Sequence, residues 1–417
     1  MSSLYSPSRR NVLQLGAGAF GAGLCSAPAF AFAGREDDRK LIFVILRGAM
    51  DGLAALAPVS DPNYSALRGA LAYQPTDGAI ALDATFSMAP GFAGLKPLWD
   101  QGELAFLPAS GTPYRERSHF EGQAVLETGA PGLVPLGDGW LNRALAGLDG
   151  VQADRALAVA SIVPLILSGR LPVSNWAPVG QNLPDEDFMD RLARLYRADP
   201  DLTDSLTRGR AVHRLADGAE MPQAAMAGPN SMTGGKDAKT VRRVRANNFD
   251  QTARVTADLI TAQGGPQITV FDIGGFDTHA DQGTKEGRLA PRLTDLANGL
   301  AGLKEKLGPV WAKTVVICAS EFGRTVRING TNGTDHGTGG TAILTGGAVK
   351  GGRIIGDWPG LGPSGLYEDR DLKPINDVRG LFKAALIDHL GLDAALVNKA
   401  IFPDSAGAKP MADLFKA

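Results

Sequence analysis

Five short stretches of this sequence carry residue types that could do chemistry together. In Gly274-Gly275-Phe276-Asp277-Thr278-His279-Ala280-Asp281-Gln282, carboxylate and imidazole recur at every second residue. In an extended segment that spacing puts Asp277, His279 and Asp281 on one side. A mixed nitrogen and oxygen set of this kind suits zinc, manganese or a similar divalent ion. The plainer alternative is a solvated loop in which Asp281 caps a helix. A further histidine, one of only five in the chain, stands in Gly333-Thr334-Asp335-His336-Gly337, where glycines let backbone approach closely. Ser320-Glu321-Phe322-Gly323-Arg324-Thr325 sets a carboxylate directly after an apolar run. That carboxylate must either pair, with Arg324 the nearest cation, or hold a ligand. Arg47-Gly48-Ala49-Met50-Asp51-Gly52 separates a cation and an anion by a glycine-bearing turn, which the two side chains could equally close by pairing with each other. Tyr114-Arg115-Glu116-Arg117-Ser118-His119-Phe120 places a hydroxyl beside an imidazole; adjacent side chains diverge, so the pair marks a polar site and not by itself a nucleophile with its base. His213 and His389 sit away from these clusters and read as structural, and Cys318 reads as a small buried hydrophobe.

What must position these groups is a set of short apolar runs rich in branched residues: Leu41–Leu46, Leu104–Pro108, Ala156–Ala160, Ile268–Ile273, Thr314–Ala319 and Ala342–Thr345. Their length and continuity are those of buried strands. Helical patterns lie between several of them, clearest at Val241–Ala262, Glu286–Leu307 and Asp377–Leu390, the last stopping at Gly391. Strands alternating with helices imply a mostly parallel central sheet covered on both faces, a three-layer α/β/α arrangement. Such a sheet holds its ligands at the carboxyl ends of its strands, where the reactive stretches fall. Asp185–Gly235 is richer in charge, Met, Pro and Gly and reads as a helical or loop insertion, about 185–235, with Met221–Lys236 its most mobile part.

The start of the chain reads differently. Ser8-Arg9-Arg10-Asn11-Val12-Leu13 opens an uncharged stretch that ends in Ala31-Phe32-Ala33 before the charged run Arg35–Lys40. This is the pattern of a twin-arginine export signal over residues 1–33, with the twin-arginine translocase as the partner during export to the periplasm or beyond. Four glycines and Pro28 make the stretch a poor membrane span. Removing it takes Arg9 and Arg10 from the 42 basic side chains and no acid, so 40 remain against 44 acidic ones. Nothing in that balance argues for nucleic acid. One cysteine, Cys318, would be left, so no internal disulfide can form. The mature chain shows no second stretch of spanning length, and 34–417 reads as one large domain.

Taken in order, Leu46-Arg47-Gly48-Ala49-Met50-Asp51-Gly52-Leu53, Arg117-Ser118-His119-Phe120, Gly139-Trp140-Leu141, Gly275-Phe276-Asp277-Thr278-His279, Ser320-Glu321-Phe322-Gly323-Arg324-Thr325, Gly333-Thr334-Asp335-His336-Gly337 and Gly356-Asp357-Trp358-Pro359-Gly360 resemble the bacterial family numbered 1501 among domains of unknown function. That family is regarded as a distant relative of the alkaline phosphatase and sulfatase superfamily. The resemblance implies an alkaline-phosphatase-like α/β/α fold with a metal site at the strand ends. By it, Ser118 corresponds to the nucleophile, Asp277 with His279 to the middle ligand pair, and His336 to the last ligand. Glu321 stands where an aspartate-histidine element is usual, and Arg47-Gly48 stands where the first strand's aspartate is usual, with Asp51 a few residues on. One divalent ion on Asp277, His279 and His336, with Glu321 or Asp51 near, is the implied centre. The implied activity is hydrolysis of a phosphate or sulfate ester, on a small molecule or a polymer, with Arg47 and Arg324 balancing oxyanion charge and His119 as general acid or base. The alternative is a non-catalytic binding or assembly protein on a degenerate version of that fold.

Overall fold

In the computed structural model, which describes residues 39–416 apart from 135, 149–154, 178–185, 198, 201, 204, 208, 210–247 and 263–264, strand β1 (Lys40–Leu46) is buried along its whole length. The export segment, His213 and Met221–Lys236 lie outside the described residues. The remaining strands of the main sheet are β2 (Leu104–Gly111), β3 (Ala156–Val159), β4 (Ser174–Trp176), β5 (Ile268–Ile273), β6 (Thr314–Ala319), β7 (Gly340–Thr345), β8 (Arg353–Ile354) and β9 (Asn376–Asp377). Their order is β8-β2-β7-β6-β1-β5-β3-β4, with β9 also on β2. β1 pairs in parallel with β5, Leu41 opposite Ile268 through Leu46 opposite Ile273, and with β6 on its other side.

The alternation of β1 builds the layers. Ile42, Val44 and Leu46 enter one core together with Phe249, Leu293, Leu296 and Leu300, from α4 (Asn248–Thr261) and α5 (Ala290–Leu307). Leu41, Phe43 and Ile45 enter the other with Leu126 of α1 (His119–Thr128), Trp140 of α2 (Trp140–Leu145) and Phe382 of α6 (Val378–Ala384). Period-two burial on both faces is what a central parallel strand requires. Phe43 meets Trp140 and Phe382 edge-on at 5.6 and 5.2 Å, and its full burial contributes roughly 1.5–3 kcal/mol. The three-layer α/β/α fold with a mostly parallel sheet is therefore present. Among the described residues, no helix is long and apolar enough to cross a membrane.

Four local differences from the sequence reading have physical causes. α5 begins at Ala290, not Glu286, because Gly283 and Gly287 take left-handed conformations (φ 69° and 112°) and Pro291 suits a first turn. α6 is capped by Asp377, whose carboxylate accepts from Arg379 N, and widens into a π-helical turn at Ala385–His389 before Gly391. Within the insertion, α3 (Glu186–Tyr196) is helical, and so are residues 200, 202–203, 205–207 and 209. The largest difference is direction. β7 runs antiparallel to both β2 and β6, so the residues before it, not after it, lie at the carboxyl edge of the sheet. The glycine-rich turn that follows β7 is thereby carried to the opposite edge, where Lys350 and Arg353 pair with Asp413.

Candidate metal centre

Four segments leave or enter the sheet at the carboxyl edge and converge there. β2 leads to Ser118 and α1, whose first residue is His119. β5 leads to Asp277 and His279, β6 to Glu321, and the loop ahead of the reversed β7 brings His336. Glycines permit the contact: a Cβ on Gly48 would stand 2.6 Å from the backbone nitrogen of Asp277, and one on Gly333 would stand 2.3 Å from the His279 carbonyl.

The imidazoles meet at their Nε2 atoms. His336 Nε2 is 2.9 Å from His119 Nε2 and 2.9 Å from His279 Nε2. Asp277 lies among them, its Oδ1 3.1 Å from His279 Nε2 and 3.3 Å from His336 Nε2, its Oδ2 3.6 Å from His119 Nε2. One ligand atom from each of His119, Asp277 and His336 falls within 4.8 Å of the other two, a compact set that does not include His279, which stands on the far side of His336 from His119.

The far side of each ring fixes the tautomer. His336 Nδ1 lies 2.9 Å from the carbonyl of Arg117, which can only accept, so Nδ1 carries the proton. His119 Nδ1 donates to Glu321 Oε1 at 2.7 Å, and His279 Nδ1 donates to Asp335 Oδ1 at 3.0 Å. Burial opposes ionisation of Glu321, but bonds from His119, its own backbone, Gly48 N and Gln123 outweigh it and hold the carboxyl below its usual range. Asp335 is held low chiefly by Asn329 and also by His279. With the rings neutral, the Nε2 lone pairs of His119 and His279 each meet that of His336, and all three face the Asp277 carboxylate with no hydrogen to share.

That arrangement fits a cation. Nitrogens bound about 2.05 Å from a tetrahedral ion stand roughly 3.3 Å apart, a little more than the 2.9 Å that separates His336 Nε2 from each of the other two imidazoles. An outer acceptor on every Nδ1 is the usual support of histidine ligands. Glu321 Oε2, buried and accepting no hydrogen bond, leaves further unmet negative charge beside the cluster. In the absence of an ion a proton can take its place: the bond to Glu321 raises the pKa of His119, while burial, and then the charge of His119, lower that of His336.

Not every residue expected at the site arrives there. Arg324 does, but its partner is Asp277 (Nη1 to Oδ1, 2.5 Å) and not Glu321. Burial opposes the ionised form of Asp277, and the bond and charge of Arg324 outweigh it, holding the carboxyl below its usual range. Asp51 is turned away and fully engaged: Oδ1 accepts from Leu53 N and Ala54 N, Oδ2 from Arg68 Nη2 and Gln282 Nε2, both at 2.6 Å. Arg47 spends its guanidinium on Asp272 and Glu127 and not on Asp51. Ser118 is next to the cluster in the chain, yet its backbone N–H donates to Tyr114 Oη at 3.0 Å and its hydroxyl lies against the same oxygen. Asp281 is exposed. His389 bonds the Lys40 carbonyl, and Cys318 is buried with its thiol pKa pushed up by burial. The supporting groups Gln123, Asn329 and the Arg117 carbonyl carried no sequence signal beyond Gln123 standing four residues after His119, one helical turn on.

Fold and site together define an α/β protein with a candidate metal site at the carboxyl edge of its sheet. The family model described as "Protein of unknown function (DUF1501)" matches residues 106–401, so the chain belongs to that family. No curated protein matches it. Among solved structures it is similar to Ps i-CgsB in complex with a neocarrahexaose (10% identity, 89% of this chain and 77% of that one, TM-score 0.41). It is similar also to a mutant of TAB5 alkaline phosphatase with Mg bound (12%, 73% and 90%, TM-score 0.33), and to the phosphonate monoester hydrolase of Agrobacterium radiobacter (13%, 76% and 70%, TM-score 0.29). Likenesses this loose assign no residue a role.

Proposed function

We propose that this chain is an exported, metal-dependent hydrolase that holds one divalent ion, zinc or manganese, on His119, Asp277, His279 and His336, and that it cleaves a phosphate or sulfate ester. The observation that carries the reading is the convergence of three Nε2 lone pairs on a carboxylate, each Nδ1 proton being held from behind. The site is open enough for a substrate, with Asp277 and His279 each 43% exposed. The ion would supply Lewis-acid polarisation of the ester and a more acidic water at neutral pH. The chain's own residues then have distinct tasks. Glu321, Asp335 and the Arg117 carbonyl keep the protons on Nδ1, and Arg324 keeps Asp277 ionised. His119, with both nitrogens committed, serves better as a ligand than as an acid or base. Arg47 and Arg324 are both spent on carboxylates, so neither guanidinium is placed to balance charge on the reacting oxygens. Water is the nucleophile this arrangement favours, with Ser118 as the competing one.

Metal analysis of the exported protein tests the first part: a stoichiometric divalent ion in the wild type, lost in Asp277→Ala/His336→Ala, is the expected result, and no ion in the wild type rejects the centre. A panel of phosphate and sulfate mono- and diesters tests the second. Turnover that vanishes in His279→Ala and persists in Ser118→Ala fits attack by water, whereas loss in Ser118→Ala moves attack to the serine. An ion bound with no turnover across the panel favours the binding or assembly role. Engagement of Asp51 by Arg68 and Gln282 supports one ion over two under either reading. Export through the twin-arginine translocase is tested by Arg9→Lys/Arg10→Lys, which should leave the protein in the cytoplasm.

A further inference from the structure

Which nitrogen of His336 faces the cluster is decided by groups outside it. We propose that the buried carboxylate of Asp371 is a positioning residue for His336: through two arginines it fixes the imidazole with Nδ1 protonated and Nε2 turned toward Asp277, His119 and His279. The consequence for metal affinity rests on the proposed centre, while the placement rests on the hydrogen bonds alone.

Asp371 opens the second strand of a small hairpin, Leu366–Tyr367 paired with Asp371–Leu372, which turns through Glu368 and Asp369 in left-handed conformations (φ 54° and 50°). Its side chain is fully buried and divided between two cations: Oδ2 accepts from Arg117 Nε at 2.8 Å and Oδ1 from Arg370 Nη1 at 2.8 Å. Each arginine reaches His336 by a different route. Arg117 offers its carbonyl to His336 Nδ1 at 2.9 Å, and Arg370 Nη1 donates to the His336 carbonyl at 2.9 Å. Arg117 can present that carbonyl only because its backbone takes φ 63°, a conformation disfavoured for a residue with a Cβ. Strain of this kind persists only where the surroundings over-determine it. Here the guanidinium is gripped by Asp371, meets Glu368 Oε2 at 2.5 Å and lies 5.7 Å from the centre of the Tyr367 ring. Removing the charge of Asp371 loosens both arginines, frees the Arg117 backbone to relax and takes the acceptor from His336 Nδ1. The ring can then flip or change tautomer, and Nε2 no longer points a lone pair into the cluster.

Long-range proton–nitrogen NMR on the full chain, histidine-labelled, metal-free and at pH 8, reads the tautomer of each ring, with His336 assigned by comparison with His336→Ala. Competition with a chelator reads zinc affinity. Wild-type His336 should be the Nδ1–H tautomer. Asp371→Asn and Arg117→Gln should each give a mixture at His336 and weaken zinc about 10–100-fold, while His279, held by Asp335, keeps its signal. Glu368→Ala removes only the exposed partner of Arg117 and should change zinc affinity by less than about twofold. An unchanged His336 spectrum in both variants, or a wild-type His336 protonated on Nε2, overturns the proposal. Should Asp371→Asn fail to fold, Arg117→Gln, at a partly exposed position, decides alone. A wild type that binds no zinc condemns the metal centre, and the His336 spectrum still decides for or against Asp371.

Discussion

Two exits at the same edge of the sheet treat their aspartates in opposite ways. After β1, Asp51 is 1% exposed and both its oxygens are satisfied: backbone N–H groups of the helical turn Gly52–Ala55 on one, and Arg68 and Gln282, themselves fully buried, on the other. Arg68 goes on to donate to the carbonyl of Val326, and Gln282 Oε1 accepts from the hydroxyls of Thr278 and Thr334. After β5, Asp277 is half-exposed and faces three imidazole lone pairs. In the first network every carboxylate oxygen has its donors, and the one buried group left over is a donor, Arg68 Nε; the second has acceptors in excess. An aspartate in a network of the first kind ties the fold together, and one in the second awaits a cation. The two are indistinguishable by type and position in the chain, because the difference lies in what reaches them from elsewhere.

The sharpest way to break this contrast is to remove one side chain from each network and measure stability and zinc binding separately. Asp51→Ala leaves Arg68 buried without its anion, and urea unfolding should show a loss of about 3–5 kcal/mol. Zinc affinity of the folded fraction should stay within about twofold, since Asp51 touches none of the four ligands; a folded Asp51→Ala protein that no longer binds zinc would place both aspartates in one centre. His336→Ala should do the reverse. It relieves crowded lone pairs, so metal-free stability should change by less than about 1 kcal/mol, while zinc should bind at least about 10³-fold more weakly, about 4 kcal/mol. The same excess of acceptors predicts a pH dependence. The bond that His119 donates to Glu321 raises the affinity of the ring for a proton that zinc must displace. Zinc should therefore bind progressively more weakly as pH falls from 8 to 6, and the slope should flatten in Glu321→Gln.

The elements of the sheet were largely legible in the sequence because buried parallel strands leave continuous apolar runs. β1, β5 and β6 begin and end within a residue of their expected bounds. β4 was not legible, since Ser174–Trp176 is three residues long and its partly exposed edge carries no apolar run. The reversal of β7 was not legible either, because periodicity says nothing of direction. Of the site, the five glycine-flanked stretches did mark the edge where the groups meet, and His336 reaches it only because β7 runs backward. Partners were the illegible part. Local pairings of Arg47 with Asp51 and of Glu321 with Arg324 looked natural along the chain. Arg47 in fact pairs with Asp272, 225 residues away, and Arg324 with Asp277, 47 residues away. Neither separation leaves a trace in composition or spacing.

The finest distinction lies between the two carboxylates that hold Nδ1 protons. Glu321 is fully buried and Asp335 is about half-exposed, and each orients one imidazole of the same cluster. Water can replace a lost partner only where it can reach. In Glu321→Gln the amide oxygen can still accept from His119, but the ring loses the anion that makes Nε2 more basic, and the buried amide N–H₂ gains donors to satisfy where Oε2 now accepts nothing. Zinc affinity should fall about 10–100-fold. Asp335→Asn keeps an acceptor for His279 and opens onto solvent, so its loss should be only a few-fold, on the order of 1 kcal/mol or less. Isothermal titration of the two variants at one pH and ionic strength sets them side by side. Equal losses would mean that charge alone, and not burial, sets how firmly the outer carboxylates hold the rings; a larger loss at Asp335 would make His279, not His119, the imidazole on which the ion chiefly depends.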